Sequence, residues 1–254
     1  MARIRNRKNM FPGGLVGGQY KPLTDEDLKK IHKAAMRVFK ETGMKVNSDT
    51  ALNAFHDAGA DVDFKRKLVR ADENWVMDKI KTAPSSITLY GREDKHNLVL
   101  DGNRVYIGTG GTATNALDLE TGERRPSTLE DVQKAARLVD ALENIHFFVI
   151  SCFPNELSKE NIDVNRFYAA IRNTSKHVMG GVYTNDGVKN VYNYAKMIAG
   201  SREALLKKPF ISFITCIMSP LEMDNRFTIS YASCSHVWFN ITGYFSWNIG
   251  TNDC

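Results

Sequence analysis

Apolar residues recur along this chain with three different periods, and each period predicts a different kind of structure. Leu28, Ile31, Ala35, Val38 and Phe39 follow helical spacing. Thr24-Asp-Glu-Asp27 ahead of them has the form of a capping box: the threonine oxygen accepts an orphan backbone N–H, and the carboxylate three positions later accepts from the cap's own N–H. Gly43 is placed to end that helix in a left-handed cap. Ser48 or Asp49 caps a second short helix carrying Leu52 and Phe55, closed near Gly59. Asp72 opens a third with Trp75, Val76 and Ile80, stopped by Pro84. Residues 62–64 and 67–69 are short strand candidates.

From Ser86 the period shortens to strict alternation. Residues 87–90, 97–100 and 105–107 are strand-like, and Asp101-Gly102 between the last two is a strong hairpin signal, because both central positions of such a turn need positive φ. Residues 114–119 predict another strand, ended by Glu120-Thr-Gly-Glu123.

A third regime starts at Ser127 or Thr128. Helix 128–142 carries Leu129, Val132, Ala136, Val139 and Leu142, and a nearly continuous apolar strand follows at 145–152. Helix 160–173, strand 177–183, helix 186–199, a short helix 202–206 and strand 210–217 complete the run. The strand starts His146, His177 and Phe210 stand 31 and 33 residues apart. Continuously apolar strands alternating with helices predict a parallel sheet covered on both faces. The regular step, without a Gly-rich first turn, favours a barrel over a doubly wound sheet. The expected fold class is α/β: an incomplete TIM-type (β/α) barrel preceded by an N-terminal α+β elaboration. Four regions are expected: an extended basic arm at 1–22, the α+β region at 23–126, the first βα units at 127–223 and an atypical tail at 224–254. Eight units of about 32 residues from residue 127 require roughly 256 positions, so the chain lacks on the order of four of them.

The tail departs from what the fold requires, as an out-of-frame segment would. Its 31 residues include three charged ones, Asp224, Arg226 and Asp253, and seven aromatics, among them Trp238 and Trp247. Where a barrel needs an amphipathic helix after strand 210–217, residues 229–242 offer no clean helical stripe.

Composition narrows the function classes. The 254 residues are 43% hydrophobic and 25% charged, within the ordinary globular range. Arg3, Arg5, Arg7 and Lys8 contribute four of the five net positive charges, so the body is balanced. Four charges without interleaved aromatics fit a soluble terminus, and no nucleic-acid binding is expected. Cys152, Cys216, Cys234 and Cys254 are widely spaced and form no zinc or disulfide pattern. The early apolar residues are broken by Pro12 and several glycines, unlike a signal peptide, and no apolar run approaches the roughly 20 residues of a membrane span. A cytoplasmic protein without membrane contact is expected.

The sharpest local motif is Val105-Tyr-Ile-Gly108-Thr-Gly110-Gly111-Thr112-Ala113-Thr-Asn115. It satisfies the glycine spacing of a dinucleotide loop, but such loops work only when a helix N-terminus follows, and here a strand follows. Two readings stand side by side: a Gly-rich bend that admits tight backbone packing, the commoner use of such glycines, and a loop presenting N–H and hydroxyl groups to a ligand. In a parallel barrel, chemistry sits at the C-terminal strand ends. Those ends are Cys152-Phe153, Tyr183-Thr184 and 216–219. His146 and His177 begin their strands, at the opposite end from Cys152 and Cys216, so no metal site is expected and the cysteines read as small hydrophobes. Phe153 and Tyr183 offer aromatic faces that could hold a quaternary ammonium.

Leu89-Tyr-Gly-Arg92, the run Val105–Ala113, Leu117-Asp-Leu-Glu-Thr-Gly-Glu-Arg-Arg-Pro-Ser-Thr-Leu-Glu-Asp-Val132 and Ala136-Arg-Leu-Val-Asp-Ala-Leu-Glu-Asn-Ile-His146 together resemble the trimethylamine methyltransferase family, across roughly residues 3 to 223. The resemblance implies a TIM-type barrel and transfer of a methyl group from a methylated amine, trimethylamine or a quaternary amine such as glycine betaine, to a corrinoid carried by a cognate partner protein. It implies an in-line displacement in which the protein supplies positioning and electrostatics. It implies no directly bound cofactor, a role in one-carbon metabolism and methanogenesis, and a homo-oligomer in the full-length form. Trimethylamine-specific members use a pyrrolysine in a C-terminal half, and no such residue stands here. Gly110-Gly111-Thr112 matches a family motif, which gives the ligand reading equal standing. The substrate-binding candidates are therefore Gly110, Gly111, Thr112, Phe153 and Tyr183, with no catalytic role assigned. The alternatives are a truncated, inactive fragment of such an enzyme and a zinc-dependent barrel methyltransferase.

Overall fold

The computed structural model describes residues 14–215 and 217–223, together with the backbone of 239–241. The basic residues at 3–8, Cys216, Cys234, Cys254 and most of the tail lie outside the described residues. In chain order the elements are β1 (Leu15–Val16), α1 (Asp25–Arg37), β2 (Met44–Val46), α2 (Asp49–Asp57), β3 (Asp61–Asp63), β4 (Leu68–Arg70), α3 (Glu73–Lys81), β5 (Ser86–Leu89), β6 (Leu98–Asp101), β7 (Arg104–Val105), β8 (Asn115–Leu117), β9 (Arg124–Pro126), α4 (Leu129–Ala141), β10 (Phe148–Val149), α5 (Lys159–Asn173), β11 (Val178–Gly180), α6 (Asn185–Ala199), α7 (Arg202–Lys207), β12 (Ile211–Thr215), β13 (Glu222–Met223) and β14 (Phe239–Ile241). The fold is mixed α/β, with several small sheets among the described residues and none of them closed.

The chain divides into two compact units. One gathers residues 20–84, 181–192 and 213–254. Here α1 starts at Thr24 with the expected reciprocal cap, Thr24 Oγ1 accepting from the Asp27 N–H while Asp27 accepts from the Thr24 N–H. The helix runs on through a π turn at Val38–Thr42, closed by Gly43 at φ 77°, where a Cβ would stand 2.6 Å from the Val69 carbonyl oxygen. Ser48 and Asp72 cap α2 and α3. The sheet order is β13-β2-β4-β3, and Met44, Val46, Ala51, Leu52, Val69 and Met223 form its core. The parallel partner of β2 comes from far downstream, Glu222 pairing with Lys45 and Met223 with Val46. Sequence periodicity groups residues 222–223 with the βα units; the structure places them in this sheet. Glu222 accepts from both Lys45 Nζ and Asn47 Nδ2, which secures the join.

The second unit gathers residues 1–19, 85–180 and 193–212. The turn at Asp101-Gly102 forms, with Gly102 at φ 50°, but the two-strand hairpin expected across it does not: β6 pairs with β5, and β7 pairs with β1. Turn chemistry reversed the chain without choosing the ladder, because Leu15 and Val16 supply a competing antiparallel edge to Val105 and Arg104. An unforeseen hairpin, β8–β9, occupies 115–126.

The parallel layer of this unit is built on β10 and β11, in register Phe148 with Val178 and Val149 with Met179. It continues toward β12 through the bond from Val178 N–H to the Phe210 carbonyl. On the other side of β10 stands the glycine loop itself, bridged in parallel at Gly108–Phe147 and Ala113–Cys152. Parallel pairing therefore begins at Gly108. Helices α4 and α5 cover the layer with Val132, Ala136, Val139, Ile162, Phe167, Ala170 and Ile171, all buried. In the first unit, the last three residues of β12 pair in parallel with β14 inside the tail.

Candidate functional site

The two ends of the parallel layer differ in chemistry. At the N-terminal end, polar groups are densely paired, with His146 Nε2 the exception. Lys176, 3% exposed, donates to the carbonyls of Val139, Leu142 and Ile145 at 2.6, 2.6 and 2.7 Å, using every ammonium proton on the C-terminal end of α4 and the turn after it. Burial holds this amine below its ordinary pKa. His177 is fully buried; its Nδ1 stands 2.9 Å from the Tyr90 carbonyl and its Nε2 2.9 Å from Ser212 Oγ. A carbonyl only accepts, so Nδ1 carries the proton, Ser212 donates to Nε2, and the ring is neutral. Burial pushes its pKa down to about 4. Asp140 accepts from the Ser175 N–H and from the hydroxyls of Thr174 and Ser175, which hold its carboxyl below the usual range against the opposing effect of burial. His146 Nδ1 accepts from the Ile107 N–H, and burial lowers its pKa too. This end is a structural clamp.

At the C-terminal end the glycine loop runs beside β10, held by side chains where backbone rungs are missing. Thr109 Oγ1 accepts from the Val149 N–H at 2.9 Å and donates to the Val149 carbonyl at 2.6 Å. Thr112 Oγ1 donates to the Ile150 carbonyl and accepts from Arg166 Nη2 at 3.0 Å. Arg166 is fully buried on α5, and Asp163, one turn earlier, is 1% exposed. At Gly108 a Cβ would lie 2.3 Å from the Phe147 ring, so this glycine serves packing. Gly110 and Gly111 do not. Both are exposed, neither has a left-handed φ, and a Cβ on either would meet no atom within 4 Å. Neither backbone N–H finds an acceptor among the described residues. The two readings of the loop thus divide by residue: packing accounts for Gly108, and open, hydrogen-bond-ready backbone describes Gly110 and Gly111.

Gly110, Gly111, Thr112 and Phe153 come together in one unit, because the Phe153 N–H donates to the Ala113 carbonyl at 2.8 Å. Phe153 is half-buried. Tyr183, also half-buried, belongs to the other unit. Cys152 is a free, half-buried thiol beside Ala113. Among the described residues no group of three or more His, Cys, Asp or Glu side chains is arranged to hold a metal. Sequence reasoning missed Arg166, Thr109 and Asn155. The signal for Arg166 was available: Asp163 and Arg166 fall among Ile162, Phe167 and Ala170 on the buried side of α5, where charge is out of place.

The loop and the strands beside it coincide with the segments that resemble a known family, and comparison across the chain decides the matter. The sequence profile of the trimethylamine methyltransferase family matches residues 6–236. The chain belongs to the trimethylamine methyltransferase family. It is similar to a trimethylamine methyltransferase of Desulfitobacterium hafniense, 33% identical over 226 residues, 89% of this chain and 46% of that protein. It is 31% identical to a trimethylamine methyltransferase of Methanosarcina thermophila over 215 residues, 83% of this chain and 44% of the relative. A glycine betaine methyltransferase of Desulfitobacterium hafniense is 27% identical over 209 residues, 82% of this chain and 43% of that protein. The chain thus spans a little under half the length of the curated relatives it matches. The family match extends to residue 236, into the segment where the sequence pattern breaks. Among the described residues no helix is long and apolar enough to cross a membrane.

Proposed function

We propose that this chain serves transfer of a methyl group from a methylated amine, trimethylamine or a quaternary amine such as glycine betaine, to a corrinoid carried by a separate protein. The observation that carries the reading is the pair Gly110-Gly111: exposed backbone at the C-terminal end of the parallel layer, with no packing or conformational demand for glycine, in a family member. On this reading 108–113, β10, β11 and β12 are the first four strands of a (β/α)₈ barrel, and the loop lies on the face where such barrels bind substrate.

The corrinoid is the methyl acceptor and supplies the nucleophile. The chain's own residues bind and orient. The N–H groups of Gly110 and Gly111 offer two donors to the carboxylate of a substrate such as glycine betaine; trimethylammonium carries no acceptor for them. Thr112, fixed by Arg166 and the Ile150 carbonyl, holds the loop at constant height above β10. Phe153, in the same unit as the loop, is the candidate aromatic face for the alkylammonium group, whose attraction to a ring is about 0.5–2 kcal/mol. Fixing the amine relative to its acceptor lowers the barrel's task to positioning.

Calorimetric titration of the chain with trimethylammonium and with glycine betaine tests this. Saturable binding of at least one amine is expected, lost in G111V without a change in melting temperature. Reduced corrinoid protein added to the amine-loaded chain should then give methylated corrinoid by its visible spectrum. Absence of binding by either amine refutes the reading.

A further inference from the structure

Two residues behind the loop make a clasp between the segments that carry the candidate binding groups. Ser127, fully buried just ahead of α4, places Oγ 2.8 Å from the Ala113 carbonyl and 2.7 Å from the Phe153 carbonyl. Its single proton is shared between the two. Asn155 Nδ2 lies 2.9 Å from the Thr114 carbonyl and 3.0 Å from those of Ser127 and Phe153. Three side-chain protons thus face five acceptor contacts that tie the end of the glycine loop, the start of α4 and Phe153, four residues beyond β10, together.

Most of these carbonyls have a second donor that does not depend on the clasp. The Ala113 carbonyl accepts from the Phe153 N–H, the Thr114 carbonyl from the Ser127 N–H and the Ser127 carbonyl from the Asn155 N–H. The Phe153 carbonyl is shared by the two side chains, so either suffices. Removing one member orphans no acceptor. A hydrogen-bond arrangement so redundant for satisfaction is still restrictive for geometry, since each extra bond removes a way for Gly110–Ala113 to move against Phe153.

We propose that Ser127 and Asn155 are positioning residues that fix the spacing between the Gly110–Thr112 loop and Phe153. This rests on the amine-binding reading for its purpose, though not for its geometry. Neither residue touches substrate; both act through the backbone they hold.

The test uses the full chain and the variants S127A, N155A and S127T. N155A removes the donors without setting a charge against the three carbonyls, and S127T retains the hydroxyl. Hydrogen exchange is read first. The bonded amides of Ala113 and Phe153, which donate to the Ser151 and Ala113 carbonyls, are expected to exchange about tenfold faster in S127A and N155A, with β11 unchanged and melting temperatures within ~2 °C of the parent. Titration with glycine betaine and trimethylammonium is read second, with binding about tenfold weaker in both variants and restored in S127T. Unchanged exchange at Ala113 and Phe153, or a loss that spreads to β11 in proportion to a falling melting temperature, overturns the proposal. Faster local exchange in a chain that binds neither amine upholds the positioning role and refutes the amine site, so the two failures are distinguishable.

Discussion

His177 makes stability depend on pH in a way the geometry sizes. Its unfolded-state pKa is about 6.5, and burial without a charged partner lowers it to about 4 in the folded chain. Between those values the unfolded chain binds more protons than the native one, so stability rises with pH through the window and is complete above about 6.5. Acidification from pH 7 to pH 5 therefore removes about 2 kcal/mol through this one ring, at a slope approaching 1.4 kcal/mol per pH unit. Protonation has no cheaper route: Nε2 accepts from Ser212 Oγ, and a proton there would face a hydroxyl that must first turn away. The perturbation is H177N, which retains a donor for the Tyr90 carbonyl and does not titrate. Urea unfolding at pH 7 and pH 5, followed by circular dichroism, should show the parent losing about 2 kcal/mol more than H177N. His146 and His96 are also depressed by burial, and the comparison subtracts their common contribution. Equal losses in the two proteins, within about 0.5 kcal/mol, would refute the assignment of a buried neutral imidazole.

Two further outcomes follow from the same structure. G108A, whose methyl would lie 2.3 Å from the Phe147 ring, should cost about 1–3 kcal/mol, whereas G110A and G111A should be neutral or stabilise by up to ~1 kcal/mol; urea midpoints decide, and equal costs at all three positions would refute the division of the loop. K176M should destabilise by about 1–3 kcal/mol, because the Ile145 carbonyl loses its donor while those of Val139 and Leu142 keep the Leu142 and Ile145 N–H groups, and a midpoint unchanged from the parent would show that water reaches the Ile145 carbonyl.

Local signals in the sequence located most of these elements. Caps at Thr24, Ser48, Asp72 and Thr128 stood where side-chain chemistry required them, because capping is decided within four residues. The helix after Thr128 began within a residue of expectation for the same reason, and the helix after Ser158 did so without a side-chain cap bond from that serine. Pairing partners were harder. Glu222-Met223 joined β2 across nearly 180 residues, and Leu15-Val16 displaced β6 as the partner of β7. A two- or three-residue strand carries too little pattern to name its partner. The glycine loop was visible as a motif, but its placement as a parallel neighbour of β10 was not, since Thr109 and Thr112 replace backbone rungs with hydroxyls and leave no alternation to read. Ser127 was legible only as the start of a helix. Its second duty, and that of Asn155, depends on carbonyls brought together from three segments.

The contrast between the two ends of the parallel layer bears on why the loop is open. A buried ammonium, a buried imidazole and a carboxylate at the N-terminal end each cost desolvation, and each is offset by two or three directed bonds. The same layer at its other end leaves two consecutive glycine N–H groups without an acceptor among the described residues, only one residue from a threonine held by a buried arginine. Exposed N–H groups are satisfied by water at little cost, so their openness does not destabilise the fold. What the fold does spend bonds on is holding that open backbone still, through Thr109, Thr112, Ser127 and Asn155. Rigid support beneath unsatisfied donors is the arrangement expected of a surface whose partner is not part of its own core. A loop that merely closed the end of a strand would need neither the glycines at 110 and 111 nor the clasp behind them.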